Sequence, residues 1–238
     1  MTKDILKALD AEKSYLEHKL NGDNSIVLYD EIIKCGFDSL DDYFDAKKRY
    51  QIKCLDFALV EQPPEKCIQE FWNCVSTKTT ELCLVETLAP TVYTCTSKPY
   101  NKEFCQENNI AIVEVPSGGG TIVSNVGDMA IAIGIPATLN IYGDFLLREI
   151  ASILEKYMDN VSVVDNDILV NNKKVCGTTT IRRNDMIVCF AHFSFCDNSE
   201  LIKSICYVDR NTQKIPYFMT GLNKEAFKEE VVKWLIST

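Results

Sequence analysis

Three consecutive glycines, Gly118-Gly119-Gly120, follow the apolar run Val113-Glu-Val-Pro-Ser117 and precede Thr121, between two apolar strands. A stretch without Cβ atoms can take positive φ and lets the backbone approach a ligand closely. Its surroundings narrow the choice. No Gly-Lys-Ser/Thr follows, so it is not a P-loop, and no helix opens after it, so it is not a dinucleotide fingerprint. A glycine-rich hairpin that binds nothing accounts for the triplet alone equally well.

A second segment stands out further along, Asn166-Asp-Ile-Leu-Val-Asn-Asn-Lys-Lys174-Val-Cys-Gly177. It reads as strand, turn and strand, because Asn171-Asn172 tolerates the left-handed backbone of a tight turn. Taken by itself, it is an ordinary hairpin with two solvated lysines.

Around these segments the chain changes texture once. Residues 1 to about 60 read as helical: Ile5, Leu6, Leu9, Leu16 and Leu20 recur at helical spacing. Asn24 or Ser25 is expected to cap a second helix that Gly36 ends, and the acidic Asp38-Ser39-Leu-Asp-Asp start suits a third. Gln62-Pro-Pro-Glu65 marks the boundary, since two prolines stop regular structure. A short helix over Lys66–Val75 is expected next. Beyond it, strands are predicted at Thr91–Cys95, Ile110–Val115, Met129–Ile135, Ile168–Val170, Lys174–Thr179 and Met186–Phe195. Helices are expected at Phe145–Met158, near Ser199–Ile205, and at Lys224–Leu235 with Phe227, Val231 and Leu235 inward. The sum is an α+β domain over residues 61–238 behind a helical extension over 1–60.

Composition excludes some partners. A net charge of −9 argues against unspecific nucleic-acid binding and against an anionic membrane surface. No apolar run reaches the roughly 18 residues of a membrane span, and the first residues do not read as a signal peptide. The cytoplasm is the expected address. The 11 cysteines include no Cys-x-x-Cys pair, and with 2 histidines there is little to build a zinc site. Cys35, Cys54, Cys74, Cys83 and Cys206 sit among apolar residues and read as reduced, structural thiols.

The order of motifs is similar to that of the biotin and lipoate protein ligase family. Pro90-Thr-Val-Tyr-Thr-Cys, Glu107-Asn-Asn-Ile-Ala-Ile-Val, the glycines, Gly127-Asp128 and the Asn166–Gly177 hairpin follow its strand order. The chain most resembles the lipoate ligase and octanoyltransferase branch, over about residues 60–238. The resemblance implies a class II aminoacyl-tRNA synthetase-like mixed sheet flanked by helices. It also implies an activity: ATP, with Mg2+, activates lipoate or a related acid, and the acyl group passes to a lysine of a lipoyl-type acceptor or carrier protein. Lys174 then falls on the catalytic lysine, where a fixed ammonium stabilises charge developing on carbonyl and phosphate oxygens. Ser117, Gly118, Gly119, Gly120 and Thr121, with Asn166, Asp167, Gly177 and Thr178, are the implied substrate and adenylate contacts.

The departures from the family pattern matter as much. Glu114-Val115-Pro116 stands where lipoate ligases usually place two arginines, and Ser124-Asn125 where His-Asp is common. An arginine fork suits phosphate or carboxylate, and an acid in its place repels them. Lys98, Lys102, Arg182 or Arg183 are the candidate substitutes. The loop Asp159–Asp165 lacks the cysteine of a related transferase branch, and Cys176 reads as a pocket wall. His192 is either a pocket residue or a satisfied core histidine. Besides the ATP-dependent ligase, two readings stay open: an ATP-independent octanoyl or lipoyl transferase, and a non-catalytic relative that binds an acyl ligand or partner.

Overall fold

A computed structural model describes residues 3–23, 25–55, 58–60, 80–94, 99–114, 120–183, 185–206, 219 and 221–236. The chain divides into two compact units, Met1–Leu55 and Asp56–Ser237. The expected helix over Lys66–Val75 lies outside the described residues, as does Cys74.

The first unit is three helices, α1 (Ile5–Leu20), α2 (Leu28–Lys34) and α3 (Leu40–Lys53). Side-chain caps start two of them: Asp4 accepts from Lys7 N, and Ser39 from Asp42 N. The second begins later than the sequence predicts, because Ser25 gives its N–H to Asp23 Oδ1 and the N-cap position passes to Val27. Ala8, Ile32, Phe37 and Tyr43 form the core. The Tyr43 hydroxyl donates to Glu12 Oε2 at 2.7 Å, and the Lys47 ammonium joins the same oxygen. Cys54 departs from its predicted apolar setting: as the C-cap of α3 it is exposed.

The second unit contains, in chain order, β1 (Ala58–Val60), β2 (Glu81–Glu86), β3 (Thr91–Thr94), α4 (Lys102–Glu107), β4 (Ala111–Glu114), β5 (Ile122–Ser124) and β6 (Met129–Pro136). It continues with α5 (Gly143–Leu154), β7 (Val161–Val164), β8 (Asp167–Val170), β9 (Lys173–Arg183), β10 (Met186–Phe193), α6 (Ser199–Ile205) and α7 (Lys224–Ile236). Seven strands form one sheet in the order β1-β2-β6-β10-β9-β8-β7. All its pairs are antiparallel except β1 with β2. A three-stranded sheet, β4-β3-β5, is the other layer.

The alternation in β6 shows how the layers stack. Ile131, Ile133 and Ile135 lie on one face, while Ala130 and Ala132 lie on the other, beneath Tyr93 of the small sheet. Covered on both sides, Met129–Ile135 is buried throughout. Helix α5 packs against β9, β10 and α7. Phe193 of β10 meets Phe227 of α7 edge to face, centroids 5.4 Å apart. The outer face of the small sheet packs Val92 and Val123 against Cys105 of α4 and Ile202 and Ile205 of α6. Each fully buried aliphatic side chain of this kind contributes about 1.5–3 kcal/mol. Among the described residues, no helix is long and apolar enough to cross a membrane.

Candidate active site

Asn171 (φ 51°) and Asn172 (φ 61°) both take the left-handed conformation, forming the two-residue turn whose twist suits a β-hairpin. Pairing starts regularly, Val170 with Lys173 and Leu169 with Lys174, then shifts, so that Ile168 faces Cys176 and Asp167 faces Gly177. Val175 is the extra residue, a β-bulge, and its carbonyl accepts from Ser194 N at 3.0 Å. A slip of one residue swaps faces. Gly177, and not Cys176, therefore shares the face of Lys174 and Asp167.

On that face Lys174 Nζ lies 2.9 Å from Asp167 Oδ1, with the two side chains 23% and 19% exposed. A Cβ on Gly177 would stand 3.2 Å from both Lys174 Cε and Nζ. The lysine thus lies across a bare backbone and is held at its tip by a carboxylate.

The next strand contributes His192, opposite Gly177 in the register and 4% exposed. Its Nε2 is 2.8 Å from Ser124 Oγ, which is 2.6 Å from Thr87 Oγ1. Burial depresses the imidazole pKa to about 4; the Lys174 charge pushes the same way and Asp128 opposes. Ser124, His192 and Asp128 have the residue types of a nucleophilic triad but not its geometry. The Asp128 carboxylate lies 3.9 Å from the same Nε2 that meets the serine, and Ser124 is fully buried. Asp128 is a clasp instead: Oδ1 accepts from Phe195 N and Cys196 N, and Oδ2 from Asn125 N and Asn198 Nδ2.

Thr178 and Cys176 fall on the opposite face, towards the helices, by the same register. Both the N–H and the hydroxyl of Thr178 donate to Asn166 O, at 2.8 and 2.7 Å, which fixes the turn before β8. Cys176 is 1% exposed, and burial, with Cys189 beside it, raises its thiol well above the ordinary range. Thr179 is the threonine on the Lys174 face.

Ser117, Gly118 and Gly119 lie outside the described residues, as does Lys98. Of the glycine segment, Gly120 is exposed and Thr121 Oγ1 is 3.4 Å from Thr94 Oγ1. Glu114 is exposed at the end of β4, and Lys102 is the first residue of α4. Arg182 and Arg183 end β9, five and six residues past Gly177, about 17–20 Å along an extended strand. The bulge and the Thr87–Ser124–His192 chain were not evident from sequence, where pairing counted back from Asn171-Asn172 sets Asp167 opposite Cys176. Only the substitution at Ser124 pointed towards the second.

Residues 92–233 match the lipoyl protein ligase A/B catalytic domain, and the chain belongs to that family. No curated protein matches the sequence. Solved structures do. P. falciparum LipL1 in complex with lipoate is 12% identical with a TM-score of 0.59; the match covers 76% of this chain and 58% of that one, so this chain spans less than two thirds of it. A bipartite lipoate protein ligase described with its E2 lipoyl domain, from T. acidophilum, is 12% identical with a TM-score of 0.60, covering 76% and 81%. A lipoate-protein ligase A bound with ATP is 12% identical with a TM-score of 0.58, covering 76% and 83%. The fold is that of the lipoate-protein ligases.

Proposed function

We propose that the protein is a lipoate-protein ligase-like enzyme that activates lipoate, or a related acid, with ATP and passes the acyl group to a lysine of an acceptor domain. The observation that carries this reading is Lys174, laid across Gly177 and held at 2.9 Å by Asp167. Attack by an amine on an activated acyl carbon forms a C–N bond and breaks the bond to the leaving group. Negative charge gathers on the carbonyl oxygen and on the departing phosphate. A fixed ammonium lowers the energy of that charge without reorganising. Asp167 holds the ammonium by a charge-assisted hydrogen bond. The neutral His192 adds no competing charge beside it.

In this reading the Ser117–Thr121 segment supplies backbone N–H groups for carboxylate or phosphate, as the family resemblance implies. Magnesium arrives with ATP. The similar structures with lipoate, with ATP and with an E2 lipoyl domain support the choice of acid, nucleotide and acceptor.

Glu114 favours a second reading, ATP-independent transfer of an octanoyl or lipoyl group between carrier proteins. It stands just before the glycine segment, where a carboxylate repels a triphosphate.

One experiment tests both. The protein is incubated with ATP, magnesium and lipoate, octanoate or biotin, and pyrophosphate exchange and acceptor mass are followed. Exchange and acylation that disappear in Lys174→Ala are the expected result. Transfer from an acylated carrier without ATP replaces the first reading by the second, and silence in both assays with an acid still bound leaves a binding protein.

A further inference from the structure

Three side chains from three segments form one buried chain: Thr87, just after β2, Ser124 at the end of β5, and His192 of β10. Thr87 Oγ1 and Ser124 Oγ are 2.6 Å apart, and Ser124 Oγ and His192 Nε2 are 2.8 Å apart. Thr87 is fixed by its backbone, whose N–H donates to Asp128 O and whose carbonyl accepts from Gly127 N. The two side-chain contacts must take up two hydroxyl hydrogens. They do so in one way only: Thr87 donates to Ser124, Ser124 donates to Nε2, and the single ring hydrogen sits on Nδ1. With a hydrogen on Nε2, in the other tautomer or in the imidazolium, one hydroxyl hydrogen is left buried without an acceptor. Asp128 offers Nε2 no alternative, since its Oδ2 is 3.9 Å away and already accepts from Asn125 N and Asn198 Nδ2.

His192 stands opposite Gly177, across which Lys174 lies, so a charge on its ring would repel the ammonium. We infer that Ser124, backed by Thr87, is a positioning residue: it holds His192 uncharged with its proton on Nδ1, and so leaves Lys174 undisturbed at Asp167. Lys174 of β9 and Asp128, just before β6, are the charged groups that act on the ring, in opposite senses, and burial works in the same direction as Ser124. The serine stands where the resembled family commonly has histidine. A hydroxyl that takes no proton thus replaces a second ring that could. The inference rests on the function proposed above, because it ties the charge on Lys174 to acyl transfer.

The test is NMR of the full-length, 15N-labelled protein, with long-range proton–nitrogen correlations of its 2 imidazoles recorded from pH 8 to 5 and assigned with His18→Gln. Wild-type His192 is expected as the Nδ1–H tautomer throughout. Thr87→Val, which keeps the shape, leaves that tautomer in place, because Ser124 still needs an acceptor for its own hydrogen. Ser124→Ala removes the requirement, so the Nε2–H form appears and the ring titrates near its ordinary 6.5. In the same variant acyl transfer relative to wild type falls about tenfold between pH 8 and 5.5, since about one ring in ten stays uncharged one unit below that pKa. An Nε2–H ring in wild type overturns the inference, and that spectrum alone decides if Ser124→Ala does not fold. The same tautomer and titration midpoint in Ser124→Ala overturn it too, as does a changed ring with an unchanged pH profile of transfer. Folded wild type that transfers no acyl group overturns the proposed function, while the spectra still decide how the ring is held.

Discussion

The side chain of Lys174 lies against Gly177, its Cε and Nζ each 3.2 Å from the place a Cβ would take. The contact exists because Val175, between them, has no partner on β8. Without that extra residue the thiol of Cys176 would share the lysine's face, and Gly177 would turn towards the helices. The bulge thus does two things at once. It gives the ammonium a flat surface beside Asp167 and turns the Cys176 thiol to the opposite face of the sheet.

Gly177→Ala is the direct test of that surface. The added methyl meets the flexible end of a lysine and not backbone, so the chain gives way cheaply and stability falls by about 1 kcal/mol or less. The lysine moves, however, and its 2.9 Å contact with Asp167 opens. Acyl transfer is expected to drop about 100-fold, as a small misplacement of a charge-stabilising group costs. A melting curve beside a transfer assay checks both halves. Equal activity in the variant would show that the glycine has no part in placing Lys174.

Much of this arrangement was legible in the sequence, and the limits have physical causes. Asn171-Asn172 announced its turn because few residues accept two successive left-handed conformations. Phe227, Val231 and Leu235 announced the buried side of α7, and the structure buries all three. The bulge at Val175 was silent: no local preference sets it, and the Ser194 N–H that holds its carbonyl comes from a distant segment. β7 was missed for a related reason. Its Val161-Ser-Val-Val is short, and it takes strand form because β8 offers a hydrogen-bonding edge. The family's arginine position could be seen as changed, but where Arg182 and Arg183 lie along β9 needed the register.

His192 makes acid stability a second test. Its pKa is ordinarily 6.5 and falls to about 4 in the fold, chiefly through burial. Below pH 6.5 the unfolded chain therefore takes up a proton that the folded chain refuses. The associated stability is complete above pH 6.5 and is lost as the pH falls towards 4, by on the order of 3 kcal/mol in all. Urea midpoints between pH 7 and 4 should decline accordingly. Glu86, held below its ordinary 4.5 mainly by Lys224, adds its own loss only at lower pH. In His192→Gln the decline between pH 6.5 and 4.5 should flatten; an undiminished slope would assign it to other groups.

Gly143 opens α5 where β9 passes beneath it. A Cβ there would stand 1.7 Å from Thr180 Oγ1 and 2.8 Å from Thr180 Cβ, distances no side-chain rotation removes entirely. Gly143→Ala should cost about 1–3 kcal/mol as the helix start shifts off the strand. Thr180→Ala removes the hydroxyl and methyl but not the Cβ, so the double variant should recover part of the loss. Thermal melts of the four proteins give the coupling, and additive losses would mean that the two residues do not meet.

Asp128 gives the sharpest stability prediction, because one carboxylate accepts four donors in a fully buried site. Asp128→Asn keeps the shape and changes only what the group can accept. Its oxygen can still serve one pair of donors, Phe195 N and Cys196 N or Asn125 N and Asn198 Nδ2. The new NH2 then faces the other pair, donor against donor. Each buried donor left without an acceptor costs about 1–3 kcal/mol, so the loss is roughly 2–6 kcal/mol. Asn198→Ala in the same background should cost little further, since its Nδ2 has already lost a charged acceptor. Urea unfolding followed by tryptophan fluorescence measures both. A loss below about 1 kcal/mol for Asp128→Asn would mean that the clasp between the β5–β6 turn and the segment after β10 does not hold the fold together.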